Sequence, residues 1–172
     1  MSSRDLPWRR TRNPWFVMVS ELMLQQTQVS RVIPKYEHFI EKYPTPKKCS
    51  DAPASSIIEE WEGLGYNRRA INLHRASQMI VETHSGKVPD TLSALLELPG
   101  IGPYTARAIL CFAFEEDIGV VDVNINRVIS RITGKVMRPQ EMQKKADSLV
   151  PTGDGWIWNQ ALMDLGSEVC GS

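Results

Sequence analysis

Two carboxylates in this chain occupy places where a carboxylate is costly. Glu21 stands inside Phe16-Val17-Met18-Val19-Ser20-Glu21-Leu22-Met23-Leu24, a run that is apolar nearly all round. Desolvation there disfavours the ionised form, so its pKa should rise and the group should hold a proton near neutrality. That is the state a general acid needs. Asp122 lies between Val120-Val121 and Val123, ahead of a helical pattern whose dipole favours the ionised form. One proton donor and one fixed anion are the pair that cleaves a glycosidic bond through an oxocarbenium-like transition state. Each also has a plain structural reading: Glu21 in a buried ion pair with an arginine, Asp122 as a helix N-cap.

Between these carboxylates comes Leu98-Pro99-Gly100-Ile101-Gly102-Pro103-Tyr104-Thr105-Ala106. Two glycines flanking one aliphatic residue, between two helical patterns, describe a helix-hairpin-helix. Glycine lets the backbone turn tightly and approach a partner without a side chain in the way. The second helix starts at Pro103, a favoured first position. Its free N–H groups form a nest that binds a phosphate without reading sequence. Taken alone, a Gly-x-Gly also serves as a turn joining two core helices.

The elements that must position these groups read as helical almost throughout. Asn13-Pro14 predicts a cap and first turn, opening a helix with Trp15, Met18, Val19 and Leu22 inward. A second helix is expected over Val32 to Tyr43, starting near Pro34 and closed by Pro44 and Pro46. Asp51 to Pro53 should cap a short helix through Ile57, Ile58 and Trp61, ended by Gly63 and Gly65. Leu73, Ala76, Ser77 and Ile80 mark a long helix, and Pro89-Asp90-Thr91 the start of the one before the hairpin. Ile125, Val128, Ile129 and Ile132 mark the helix after Asp122, and Gln140 to Leu149 another. Trp156 to Val169 closes the chain, with Ile157, Ala161, Leu162 and Leu165 expected inward. No alternating run reads as a strand, so the fold class is all-α, with about ten short helices.

Composition narrows the function classes only modestly. At 172 residues the chain has room for one domain, or one of two intimate lobes. Its formal net charge is zero, so no global basic field points to nucleic acid. Arginines are grouped locally, at Arg9-Arg10-Thr11-Arg12, at Arg68-Arg69, and at Arg127 with Arg131, Lys135 and Arg138; solvated helical faces are the default for each. No signal peptide or membrane-spanning run is evident. Cys49, Cys111 and Cys170 lie too far apart for a local metal motif and fit a reducing, cytoplasmic setting.

Over nearly its whole length the sequence resembles the helix-hairpin-helix/Gly-Pro-Asp (HhH-GPD) superfamily of DNA glycosylases, and within it the MutY-type adenine-specific branch. The likeness is carried by Leu6-Pro7-Trp8-Arg9, Val19-Ser20-Glu21-Leu22-Met23-Leu24-Gln25-Gln26-Thr27-Gln28-Val29, Trp61-Glu62-Gly63-Leu64-Gly65-Tyr66, Asn72-Leu73-His74, the hairpin, and Asn159-Gln160-Ala161-Leu162-Met163-Asp164-Leu165-Gly166. The Met-Leu-Gln-Gln-Thr-Gln and Glu-Gly-Leu-Gly-Tyr strings are far more specific than the hairpin.

The resemblance implies base excision from double-stranded DNA, acting as a monomer on adenine mispaired with guanine or 8-oxoguanine. It implies that Glu21 protonates N7 of the departing adenine, that Asp122 stabilises the sugar cation, and that Asn124 supports Asp122 and the incoming water. Tyr104 stands where bifunctional relatives carry a Schiff-base lysine, which implies a monofunctional hydrolase. Arg4, Leu6, Trp8, Val29 and Gln160 match the pocket for the flipped base, Gln26 the side chain that enters the vacated stack, and Tyr66 one that wedges beside the opposing purine. Gly100, Ile101, Gly102 and Thr105 are the hairpin residues expected at DNA. The two lobes are expected at 24–132, and at 1–23 plus 133–172.

Departures from the pattern shape these expectations. The family usually follows the cysteine matching Cys170 with three more, which together hold a [4Fe–4S] cluster; here Gly171 and Ser172 follow, so only that one ligand remains and no cofactor is expected from this chain. No counterpart of the C-terminal, NUDIX-like domain for 8-oxoguanine is present, and Asn67 replaces a frequent second tyrosine. A mismatch-specific thymine or uracil glycosylase and a non-catalytic DNA-binding remnant are the alternatives. Gln25-Gln26, Glu21 and the Leu6, Trp8 and Gln160 set favour adenine. Retention of Glu21, Asp122, Asn124 and Tyr104 together favours catalysis.

Overall fold

Helix starts follow the capping residues. In a computed structural model, which describes residues 5–170, Asn13 accepts hydrogen bonds from the amides of Trp15 and Phe16 and opens α1 (Pro14–Leu24). Thr91 caps α6 (Leu92–Glu97) through the Ala94 amide, and Asp122 caps α8 (Val123–Thr133) through that of Ile125. The remaining helices are α2 (Val29–Lys42), α3 (Pro46–Ser50), α4 (Ala54–Glu60), α5 (Arg68–Thr83), α7 (Pro103–Ala113), α9 (Pro139–Asp147) and α10 (Gly155–Asp164). A 3₁₀ turn (Pro7–Arg9) precedes α1 and a π-helical turn (Leu165–Val169) follows α10. No strand occurs among the described residues, and none of their helices is long and apolar enough to cross a membrane.

The centre of the molecule is α1, packed against α2, α5 and α7. Eight of its side chains are buried, Ser20 and Glu21 among them, which places a carboxylate in the core rather than beside it. Burying an aliphatic side chain such as Val19 or Leu22 contributes about 1.5–3 kcal/mol, which is what holds that carboxylate in place.

Five sequence expectations are corrected. α2 begins at Val29, not near Pro34, and runs through the proline. Val32, Tyr36 and Phe39 are buried on its inner face, while Pro34 and Ser30, whose carbonyl the proline cannot bond, are exposed to water. Pro46 does not close a helix but starts α3, with Thr45 accepting from the Lys48 amide; Asp51 ends α3 instead of capping α4. On α8 the buried face is Ile125, Val128 and Ile129, and Ile132 is exposed. On α10 the inward residues are Gly155, Asn159, Gln160, Met163 and Asp164, with Ile157 and Ala161 outside. Buried polar groups must be paired, and Asn159 and Asp164 are. Asn159 accepts from the Val120 amide at 2.8 Å and donates to the Ile118 carbonyl at 2.9 Å, and Asp164 takes a two-point ion pair from Arg9. Long-range partners override the apolar periodicity here.

The hairpin joins α6 to α7 as the sequence predicts, and its two glycines do different things. Gly100 has φ +83°, and a Cβ on it would lie 2.8 Å from the Cβ of Asn72. Gly102 is extended, and a Cβ there would meet nothing within 4 Å. Gly100→Ala should therefore lower stability by about 1–3 kcal/mol, whereas Gly102→Ala should cost less than about 1 kcal/mol. Urea denaturation of both variants checks this contrast; equal losses would refute it. The internal packing needs the first glycine, and the second keeps the surface clear.

Candidate active site

Glu21 points from the middle of α1 into a cavity of about 150 Å³. Tyr104 reaches it from the first turn of α7, Asp122 and Asn124 from the start of α8, and Gln160 from α10. Leu6 and Trp8, around the 3₁₀ turn, and Val29, the first residue of α2, complete its apolar wall. Residues spread over more than 150 positions of the chain thus share one small chamber. Its volume suits a single planar ring system and falls short of the usual drug-sized pocket. Arg4 lies outside the described residues.

Electrostatics in the chamber follow from burial. Glu21 is 6% exposed, and desolvation pushes its pKa up to about 7. The neighbouring Asp122 charge adds to the rise, while a hydrogen bond with the Tyr104 hydroxyl works against it. Tyr104 itself is held well above its ordinary range by desolvation and by the two carboxylates, so its hydroxyl keeps its proton. Asp122 was expected to be favoured as an anion by the α8 dipole, yet burial wins and its pKa is raised. The amide of Ile125 at 2.7 Å and the side-chain amide of Asn124 at 2.9 Å bond its two oxygens and limit that rise.

Asn124 is held in turn. Arg127 donates to its side-chain oxygen at 3.2 Å and to the carbonyls of Gly166 at 2.7 Å and Cys170 at 3.1 Å. Gly166 lets the π-helical turn close on α8, since a Cβ there would lie 2.5 Å from the Cβ of Asn124. A hydrogen-bonded line therefore runs from Asp122 through Asn124 and Arg127 to the end of the described chain.

Sequence reasoning missed several contributors to the chamber. Arg9, assigned to a solvated face, lines it and pairs with Asp164 at 2.9 and 2.8 Å. Phe112 and Met163 also line it. The spacing of Gln160, Met163 and Asp164 on one helical face was the available signal, masked by the more apolar Ile157 and Leu165. His74 is buried with Nε2 2.9 Å from the Ala52 carbonyl.

A second feature is a groove of about 910 Å³ whose lining includes Gln26, Arg31, Gly65 and Tyr66. Gln26 and Tyr66 both have left-handed backbones, with φ +54° and +49°, and Tyr66 is 65% exposed. Of the hairpin residues, Ile101 and Thr105 bury their side chains, so what the turn offers outward there is backbone. Thr105 meets the Gln25 side chain at 3.5 Å, which ties the start of α7 to the loop after α1.

The [4Fe–4S] cluster expected of relatives finds no set of ligands among the described residues. Cys49 and Cys111 are buried in α3 and α7, and burial pushes their thiols up to about 11 and about 12, away from the thiolate a cluster needs. No three His, Cys, Asp or Glu side chains that could hold a metal ion gather among the described residues. The described residues do not compose a cluster site.

Comparison with known proteins agrees with the fold. The adenine DNA glycosylase of Mycolicibacterium smegmatis is 42% identical over 97% of this chain, which spans 59% of that relative's length. The thymine/uracil-DNA glycosylase of Methanothermobacter thermautotrophicus is 34% identical, again over 97% of the chain and over 78% of its own length. The structure of a thermostable thymine-DNA glycosylase superposes with a TM-score of 0.93 at 33% identity, covering 98% of this chain and 80% of that one. A family model described as HhH-GPD superfamily base excision DNA repair protein matches residues 19–152. The all-helical chain, with its hairpin and its buried carboxylates, belongs to the HhH-GPD superfamily of base excision DNA repair proteins.

Proposed function

We propose that the chain is a monofunctional DNA glycosylase that hydrolyses the N-glycosidic bond of adenine mispaired with guanine or 8-oxoguanine. The observation that carries this reading is the chamber itself, where an acid with a pKa of about 7 and a hydrogen-bonded aspartate face one ring-sized space. Glu21 gives its proton to N7 as the bond from C1′ to N9 breaks and the electron pair leaves with the base. The Asp122 carboxylate stabilises the cation left at C1′. Water adds at C1′ and returns a proton to Glu21, so the acid is regenerated. Tyr104, kept protonated, donates to the Glu21 anion while it lasts.

Binding is assigned to the remaining features. The clear surface at Gly102 and the free amides at the start of α7 take a phosphate; Gln26 and Tyr66 enter the base stack; Leu6, Trp8, Val29 and Gln160 hold the extruded base. We read the chain as one catalytic unit of two lobes, 24–132 and 1–23 with 133–172. Leu6, Trp8, Glu21 and Gln160 come from the second and Val29, Tyr104 and Asp122 from the first, so the chamber sits at their junction. The likeness to a thymine-DNA glycosylase, at a TM-score of 0.93, and to a thymine/uracil-DNA glycosylase, at 34% identity, favours a second reading, excision of a mispaired pyrimidine.

Single-turnover base release from duplexes carrying A opposite 8-oxoguanine, A opposite G, T opposite G and U opposite G separates the readings. Release from the two adenine duplexes alone is expected. Product strands should stay intact until heated in alkali, and borohydride should trap no covalent adduct, because tyrosine forms no imine. Release from T:G or U:G alone would establish the pyrimidine reading, release from none a binding remnant, and efficient trapping a lyase.

A further inference from the structure

Two residues at the rim of the large groove adopt a backbone conformation that L residues rarely take. Among the described residues, four that are not glycine have positive φ: Gln26, Tyr66, Ser85 and Glu115. Ser85 and Glu115 end α5 and α7, and the amides that follow them, of Gly86 and Glu116, bond back to Ile80 and Leu110; these are ordinary left-handed helix caps. Gln26 and Tyr66 are not. Gln25 is already extended, and the Thr27 amide bonds the Leu24 carbonyl, so Gln26 holds the third position of a type II turn, where glycine is usual. Tyr66 follows left-handed Gly65 at the approach to α5. Strain of this kind persists only where the surroundings over-determine it.

The surroundings are one side chain. Arg69, on the first turn of α5, is 7% exposed and sends its guanidinium between the two loops. Nη1 donates to the carbonyls of Leu22 at 2.9 Å and Met23 at 2.8 Å, in the last turn of α1, and to that of Gln25. Nη2 donates to the carbonyls of Leu64 at 3.0 Å and Gly65 at 2.9 Å and to the Thr27 hydroxyl at 3.0 Å. The Thr27 hydroxyl itself contacts the Leu64 carbonyl at 3.2 Å and bridges the same gap. The guanidinium also stands 5.7 Å from the ring centroid of Tyr66. A planar fork with parallel donors meets two sets of acceptors at once, which a lysine ammonium does not do. Every one of these acceptors is neutral, so the charge is spent on backbone positioning and not on an ion pair.

We propose that Arg69 is a positioning residue that joins the loops of Gln26 and Tyr66 into one rigid, two-pronged wedge, which holds the base stack open while the target base occupies the chamber. This rests on the function proposed above, but it concerns base extrusion and not bond cleavage.

The test separates the two. A duplex carrying 2′-fluoro-2′-deoxyadenosine as the target resists cleavage, because the fluorine destabilises the sugar cation, and its fluorine resonance reports stacked and extruded populations. Bound to the intact parent chain, a target opposite guanine should be largely extruded. With Arg69→Lys, or with Thr27→Val as the milder change, the ratio of extruded to stacked base should fall about tenfold to a hundredfold, the range for one lost charge-assisted hydrogen bond. Opposite an abasic site, where nothing need be prised apart, both variants should extrude the base as the parent does. Adding Gln26→Ala to Arg69→Lys should cost little more, since the two act as a unit. Unchanged extrusion in both variants, equal losses on the two duplexes, or a parent that extrudes nothing opposite guanine would each overturn the proposal. A parent that extrudes adenine yet releases none from ordinary duplexes would sink the glycosylase reading and leave the wedge standing.

Discussion

Asp122→Asn is expected to bind a mismatched duplex as tightly as the parent chain and to release base at least about a thousandfold more slowly. Asparagine keeps the cap on α8, since its side-chain oxygen still accepts from the Ile125 amide, now 2.7 Å away. The bond from Asn124 at 2.9 Å is the contact it rearranges. What it removes is the negative charge, whose value is realised only as positive charge develops on the sugar. The phosphate contacts proposed for the hairpin do not involve Asp122, so affinity and rate should separate. Electrophoretic binding and single-turnover release on the same A:G duplex read both quantities. Release at near the parent rate would remove Asp122 from the chemistry; loss of binding in parallel with rate would show that its role is structural.

Glu21 should leave its mark on both rate and stability as pH changes. Its pKa in the folded chain is raised from 4.5 to about 7, so the acid is available below neutrality and is lost as pH rises through about 7. Base release should therefore decline above pH 7, and Glu21→Gln should cut it by on the order of a hundredfold or more below pH 7, the usual contribution of a positioned acid, with the gap narrowing as the parent loses its proton. The stability consequence has a fixed sign. A carboxyl whose folded pKa lies above its unfolded value favours the fold while protonated, and that contribution is lost as pH rises from about 4.5 through 7. The loss is on the order of 3 kcal/mol. Glutamine never ionises, so the variant should gain stability relative to the parent between pH 5 and pH 8, as active-site carboxylates often cost stability. Urea denaturation at the two pH values measures the gap; a gap that stays constant would show that Glu21 titrates as an ordinary surface carboxylate.

Much of this molecule was legible in its sequence. The helices opened by Asn13, Thr91 and Asp122, the hairpin with its left-handed glycine, and the suspicion attached to a carboxylate in an apolar run all rest on interactions within a turn or two of chain. Such interactions depend on residue type and spacing alone. Tertiary structure decided the rest, because burial and distant partners set the outcome. Pro34 is carried inside α2 by the apolar face of Val32, Tyr36 and Phe39, and the Ser30 carbonyl that it cannot bond is left to water. α10 turns Asn159 and Asp164 inward, against its apolar periodicity, because Val120, Ile118 and Arg9 wait there as partners. Arg9 and Arg69 leave the solvated faces assigned to them for acceptors 155 and up to 47 positions away in the chain. Asp122 titrates above its ordinary range although it caps a helix, since desolvation exceeds what a helix terminus supplies. Above all, the meeting of Glu21, Tyr104, Asp122 and Gln160 around one small chamber is a property of packing: no local rule brings four helices to the same point, and their shared apolar core does.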